Sequence, residues 1–241
     1  MLLQAENLTM AFPDGDHWRT IFEDVSFSVP SGGSLALTGV SGCGKSTILN
    51  ILGGLIVPTA GRVLIEGKEI SGLSLAQQSK LRSQRIGFIF QEWNLVSYLS
   101  ALDNVALPLQ LTGERRHKAR RRAHDALQHV GMDSLASSFP ENLSGGEQQR
   151  VAVARALVGD TVMVLADEPT GSLDVHNSQH VIDLLLERSA QQGLCCVIAT
   201  HDLDIAQRCD HILDVQQHQP ATGGEHCRPV AASTDGRAVK A

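Results

Sequence analysis

Two kinds of apolar segment recur along the chain. In LLQAENLTMAF from Leu2, IFEDVSFSV from Ile21 and RVLIEG from Arg62, apolar and polar residues alternate. That is the period of a strand with one face on a core and the other toward water, so these segments predict an antiparallel layer. SLALTG from Ser34, IGFIF from Ile86, VMVLA from Val162 and CCVIAT from Cys195 are almost wholly apolar, as expected of parallel strands covered on both faces. Helical patterns lie between them, and the alternation predicts an α/β domain whose main sheet is mostly parallel. Between Gln91 and about Leu157 the strand signal stops and helix-like segments follow one another. A helical subdomain is therefore expected over 91–157, with a core and β layer built from 1–90 and 158–215 in a single domain spanning 1–241. From about Gln216 the chain turns polar and rich in Gly, Pro, Ser and Thr, which predicts a weakly ordered tail over 216–241.

Composition narrows the function classes. Hydrophobic residues make up 42% of the 241 and charged residues 19%, ordinary for a globular protein. The net charge of −6 gives no general basic footprint for nucleic acid. The run ERRHKARRR from Glu114 is locally basic but has no interleaved aromatic residue to stack on a base, so it reads as a solvated helix face and no nucleic-acid partner is expected. The cysteines Cys43, Cys195, Cys196, Cys209 and Cys227 form no C-x-x-C pair, which argues against a disulfide framework or a zinc site and fits a reduced cytosolic setting. His218 and His226 with Cys227 are poorly spaced for a metal. No apolar run approaches the roughly 18 residues that a membrane span needs, so at a membrane another component would have to hold the chain.

The chemistry concentrates in a few short stretches. GVSGCGKS, Gly39 to Ser46, follows the apolar strand SLALTG and precedes the helix-compatible TILNILGGL. This is the context of a phosphate loop: glycines let backbone N–H groups wrap phosphates, a lysine reaches the β and γ groups, and a hydroxyl ligates Mg²⁺. Gly39, Ser41, Gly42, Cys43, Gly44, Lys45, Ser46 and Thr47 are the candidate nucleotide-binding residues. Cys43 within the loop predicts that thiol reagents block nucleotide entry. VMVLADE ends an apolar strand in two carboxylates: Asp167 is suited to Mg²⁺, and Glu168 to accepting a proton from a water aligned on the γ-phosphate. Gln91 closes IGFIF and His201 follows CCVIAT, so parallel strands would deliver both to the same carboxyl edge. Lys45, Gln91, Glu168 and His201 form the candidate catalytic set, and Ser46, Gln91 and Asp167 the candidate metal set. In LSGGEQQR, Ser144 and Glu147 stand at capping-box spacing, which predicts a helix starting at Ser144 whose glycine-rich first turn offers an anion site. Nothing local says which anion it serves.

Taken in order, GVSGCGKST, the Gln91 loop, LSGGEQQR, VMVLADEP, GSLD from Gly171 and ATHD from Ala199 resemble the ATP-binding-cassette (ABC) family. The resemblance covers Leu2 to about Val215, and LSGGEQQR is its most specific element. FIFQEWNLVSYLSALDNVALPL and LADEPTGSLD look most like the ATPase subunits of lipoprotein-release, macrolide-efflux and cell-division-type systems. The resemblance implies a phosphate-loop NTPase core that binds ATP and Mg²⁺ and hydrolyses ATP. It further implies a head-to-tail dimer in which Ser144, Gly145 and Gly146 bind the γ-phosphate of the ATP held by a second copy, while Asp174 communicates between the two sites. Phe12 stands where the family usually has a tyrosine stacked on adenine, with Trp18 as a competing candidate, and Glu147 replaces the family's commoner glutamine. The implied partner is a membrane-embedded permease that holds this chain at the cytoplasmic side of the inner membrane, engaged in a groove beside the Gln91 loop. There Trp93, Leu95, Val96, Tyr98 and Leu99 cluster in sequence; the leucines suit a core, whereas Trp93 and Tyr98 suit a core or a docking surface equally. The implied activity is export or extraction of a substrate. The alternatives are a cassette that transmits force to cell-envelope enzymes without transport, and a soluble cassette, which usually carries two cassettes or a long coiled-coil insertion.

Overall fold

The computed structural model describes residues 1–15, 17–171 and 173–220. A four-stranded antiparallel sheet contains β1 (Leu3–Asp14), β2 (His17–Val29), β4 (Ala60–Ile65) and β5 (Lys68–Glu69) in the order β2-β1-β4-β5. A five-stranded parallel sheet contains β3 (Ser34–Thr38), β6 (Ile86–Ile89), β7 (Met163–Asp167), β8 (Cys195–Ala199) and β9 (His211–Asp214) in the order β6-β7-β8-β3-β9. The helices are α1 (Lys45–Leu52), α2 (Leu75–Arg85), α3 (Ala101–Leu111), α4 (Arg116–His129), α5 (Gly145–Leu157), α6 (Val175–Gln192) and α7 (Leu203–Gln207). None of the described helices is long and apolar enough to cross a membrane.

The all-apolar strands are apolar because each faces two cores. Leu35 and Leu37 of β3, Met163 and Leu165 of β7, and Cys195 and Val197 of β8 join a cluster with Leu3, Leu8 and Phe22 of the antiparallel sheet and Ile48, Ile51 and Leu52 of α1. The alternate residues Ala36, Val164, Ala166, Cys196 and Ile198 point the other way, into a cluster with Val181, Ile182 and Leu185 of α6 and with the helices of the 91–157 segment. Successive side chains of a strand face opposite sides, so each of these short strands seals both layers, and a fully buried Leu, Ile or Phe contributes about 1.5–3 kcal/mol.

In α4, Ala119, Ala123 and Leu127 are buried at four-residue spacing, which turns the basic run outward. Arg120 pairs with Asp103 of α3, and Arg122 reaches Asp160 at 2.9 Å. The antiparallel layer extends further than the sequence pattern predicts: β2 starts at His17, not Ile21, because Asp14 and His17 close a hairpin with β1. The short edge strand β9 exists only by pairing with β3. The chain also stays built beyond Gln216. Val215 is buried, and a 3₁₀ turn over Val215–His218 is capped by Asp214, whose side chain accepts from Gln216 N at 3.0 Å. That capped turn covers the first residues of the stretch expected to loosen from about Gln216. The remainder of the expected tail, with His226 and Cys227, lies outside the described residues.

Candidate functional site

The carboxyl ends of β3, β6, β7 and β8 open on one edge of the parallel sheet, and the residues just past them share a cleft of about 620 Å³. Among the residues singled out from sequence, Ser41, Gly42, Gly44, Lys45, Ser46, Thr47, Gln91, Asp167, Glu168 and His201 line it. Ile21 of β2 and Gly171 join them. Ile21 was missed as a site residue because its contribution depends on how the antiparallel sheet folds over the phosphate loop, and no short motif encodes that.

The loop from Gly39 to Gly44 turns sharply into α1, with φ of 136° at Gly39, 79° at Gly42 and 108° at Gly44. At Gly44 the need for glycine is double, since a Cβ would also sit 2.8 Å from Ile21 Cγ2 and 2.9 Å from Phe22 Cδ1. No side chain caps the start of α1, so its first-turn amides remain available for an anion. Lys45 Nζ donates to Gly39 O at 2.8 Å and Val40 O at 3.2 Å. Cys43 departs from expectation. Its side chain is wholly buried in the cluster beneath the antiparallel sheet, against Gly39, so only its backbone belongs to the loop. The expectation that thiol reagents block the nucleotide site through Cys43 is corrected, because the thiol faces the core and not the cleft.

Asp167 ends β7, in register with Ala199 of β8. Burial pushes its carboxyl above the ordinary carboxylate range; a hydrogen bond from Ser46 opposes this, the charge of Glu168 adds to it, and Lys45 pulls the other way. Glu168 has φ of 45°, a left-handed conformation that costs energy in a residue with a side chain. It is held there by its amide, which donates to Ala199 O at 2.9 Å, and by its carboxylate, whose Oε1 lies 2.9 Å from His201 Nδ1. Thr200 Oγ1 donates to its other oxygen at 3.4 Å. The His201 side chain is 77% exposed and free to meet a ligand in the cleft.

The stretch LSGGEQQR, Leu143 to Arg150, forms as its spacing predicts. Ser144 caps α5: Glu147 N donates to Ser144 Oγ at 3.4 Å, while Ser144 N and Oγ donate to Glu147 Oε2 at 2.7 and 2.8 Å. Those bonds hold the Glu147 carboxyl below its ordinary range. Ser144, Gly145 and Gly146 are not among the described residues lining the cleft of their own chain. Asp174 is not among them either; it caps α6, accepting from Asn177 N at 2.9 Å and Asn177 Nδ2 at 2.6 Å. Asn177 in turn accepts from Arg150 Nη1 of α5 at 2.9 Å. This link escaped sequence reasoning because its partners lie in separate motifs.

A family model described as ABC transporter matches residues 22–171. The chain belongs to the ABC transporter family. Two solved structures of the cassette MJ0796 superpose on it with a TM-score of 0.84 at 34% identity, covering 89% of this chain and 95% of that one. One is described as the dimeric structure of a bacterial ABC transporter cassette, the other as a dimeric post-hydrolysis state bound to ADP and Pi. The ABC fold, a parallel sheet with helices plus an antiparallel sheet, is the one seen here.

Within this ABC cassette, Phe12 of β1 is 40% exposed and pairs across the strand with Arg19, while Trp18 is half-buried opposite Pro13. A second cavity, about 680 Å³, lies beside the Gln91 loop between β6, α2 and α3, lined by Phe88, Phe90, Leu107 and Leu111 together with Arg82, Arg85 and Arg155. The five-residue cluster expected to present itself there does not line it: of the Gln91 loop, only Asn94 is among the described lining residues. Leu95 packs on the helical core, Trp93, Val96 and Leu99 are half-buried, and Tyr98 is 80% exposed. Gln91 itself lines the cleft that holds Lys45, Asp167 and Glu168.

Proposed function

We propose that this ABC cassette is the ATP-hydrolysing subunit of a transporter, and that it works as a head-to-tail pair in which each copy completes the other's site. One observation carries the reading. Lys45, Ser46, Gln91, Asp167, Glu168 and His201 gather in one cleft, while Ser144, Gly145 and Gly146 at the start of α5 are not among its described lining residues, so a γ-phosphate bound by one copy is left for the Ser144 end of another. The dimeric MJ0796 cassettes, one of them with ADP and Pi, support it.

ATP in the cleft would draw the amides of the 39–44 loop and the first turn of α1 onto its phosphates, and Lys45 would exchange its two loop carbonyls for phosphate oxygens. Phe12 would stack on the adenine with its ring face. The Ser46 hydroxyl, the Asp167 carboxylate and the Gln91 amide are hard oxygen donors on one wall, a set that fits Mg²⁺. Bound there, the ion would neutralise charge on the β- and γ-phosphates. Glu168, aimed by His201 and Thr200, would take the proton of the attacking water. Lys45, His201 and the second copy's Ser144, Gly145 and Gly146 would surround the γ-phosphate with donors. Because ATP contacts both copies, it favours the closed pair over the open one by its differential affinity, and Asp174 would report closure from one site to the other.

The motion would be passed to a membrane-embedded permease that holds the cassette at the cytoplasmic face of the inner membrane and occupies the 680 Å³ groove. Export or extraction by a lipoprotein-release or macrolide-efflux type of system is the role that the Gln91-loop and LADEPTGSLD stretches favour. Glu168→Gln tests the core of the proposal. It should keep ATP binding, lower kcat by about 10²–10⁴-fold, and give a dimer on gel filtration only with ATP. Hydrolysis near the wild-type rate would remove Glu168 from this role.

A further inference from the structure

We propose that Arg155 is a positioning residue for the hydrolytic site: it clamps the Gln91 loop in a strained turn and fastens that loop to the helix bearing the Ser144 cap. The inference rests on the reading that Gln91 serves the bound nucleotide, and it concerns a residue that no motif marks.

Just past Gln91 the backbone is left-handed at two successive residues that are not glycine, Trp93 with φ of 52° and Asn94 with φ of 49°. For an aromatic residue this is a costly conformation. The Trp93 indole adds to the cost, since its Nε1 is buried with no hydrogen-bond partner among the described residues. Such a turn persists only where its surroundings hold it. Arg155 does so: Nη2 donates to Trp93 O at 2.7 Å and Nη1 to Asn94 O at 2.6 Å. The planar guanidinium takes two successive carbonyls at once, a geometry that an ammonium cannot copy. Arg155 makes no ion pair among the described residues, and burial disfavours its charged form. Its cation is compensated by these carbonyls, so the clamp is the reason it is there.

Arg155 lies in the last turn of α5, and Ser144 caps the first. At a rise of about 1.5 Å per residue the two ends stand roughly 16 Å apart on one rigid rod. Arg150 holds the Asp174 cap through Asn177 from the same helix. A displacement of the Gln91 loop therefore travels along α5 to the serine offered to the second copy, and closure at Ser144 travels back to Gln91.

Hydrogen exchange and steady-state ATPase on the full-length chain test this. Arg155→Ala should speed exchange of the amides at 92–95 and lower kcat, each by about ten-fold, the factor that one charge-assisted hydrogen bond represents. ATP affinity in Mg²⁺-free buffer should stay within about two-fold, since the phosphate loop is untouched. Arg155→Lys should fall between, and adding Asn94→Gly to Arg155→Ala should recover part of the lost kcat, because glycine adopts the left-handed turn without a clamp. Wild-type exchange at 92–95, or wild-type kcat in spite of a loosened loop, would overturn the proposal. So would a double variant no better than Arg155→Ala. If Arg155→Ala does not fold, Arg155→Lys decides: unchanged exchange at 92–95 overturns the clamp. Gln91→Ala separates the two readings, because wild-type kcat there would sink the role of Gln91 while the exchange data still decide the clamp.

Discussion

Asp167 shows how a carboxylate lining the cleft is kept at a cost to the fold. Burial beside Glu168 raises its protonation range despite Ser46 and Lys45. A raised carboxyl titrates above its unfolded counterpart, so ionisation favours the unfolded chain and its destabilising effect fades as pH falls through the raised value. Asp167→Asn removes the ionisation. In nucleotide-free buffer it should raise Tm by about 1–4 °C while abolishing Mg²⁺-dependent ATPase; a lowered Tm would contradict the desolvation argument. The thiols of Cys195, Cys196 and Cys209 follow the same electrostatics. Cys43, Cys195, Cys196 and Cys209 are buried, and burial pushes Cys195 up to about 12 and Cys209 up to about 11. Alkylation followed by peptide mapping should leave these four unmodified in the native protein and modify all of them after denaturation. Modification of native Cys43 would mean that the phosphate loop opens to its core side. That Cys43 would turn inward could not be read from GVSGCGKS, because a loop motif specifies where the backbone goes and not which side chains the neighbouring layer will accept.

At the scale of elements, α5 joins two kinds of information. Its start is legible in LSGGEQQR, since a capping box depends only on residues three apart. Glu147→Ala should cost about 0.3–1 kcal/mol near neutral pH, the worth of an acidic side chain in an exposed first turn. The Glu147 carboxyl is held below its unfolded range, so its contribution is full above the unfolded value and is lost as pH falls through the lowered one. Thermal melts at pH 7 and pH 3 should show a larger gap between wild type and variant at the higher pH. How close α5 comes to β6 is not legible. A Cβ on Gly87 would lie 2.3 Å from Ala156 O, so helix and strand touch backbone to backbone there. Gly87→Ala should destabilise by about 1–3 kcal/mol through overpacking, read as a lower Tm, whereas an unchanged Tm would mean that the layers separate easily. In sequence Gly87 is only a break in IGFIF. The edge strand β9 was invisible for a related reason: HILD has strand character only beside β3.

For the whole molecule, the decisive property is that Ser144 is not among the described residues lining its own chain's cleft. Ser144→Arg should leave ATP binding to the monomer within about two-fold yet abolish the ATP-dependent dimer formed in the Glu168→Gln background, because the bulky cation blocks the approach of a second copy. Lost monomer binding would place Ser144 in its own chain's site and end the trans assignment. Periodicity and local motifs determined much on their own: the two-sided strands, the glycine-rich loop before α1, the carboxylate pair at the end of β7, and the capped start of α5. Each is set by residues a few positions apart, where covalent geometry does the placing. What the tertiary structure alone decided was which of these pieces face one another. Strand order put Gln91, Asp167, Glu168 and His201 on one edge with Ile21 over the loop, and packing turned Cys43 inward and seated Arg155 against Trp93 and Asn94. Such contacts depend on two cores closing at once around short strands, and side chains far apart in sequence learn their partners only when both layers are in place.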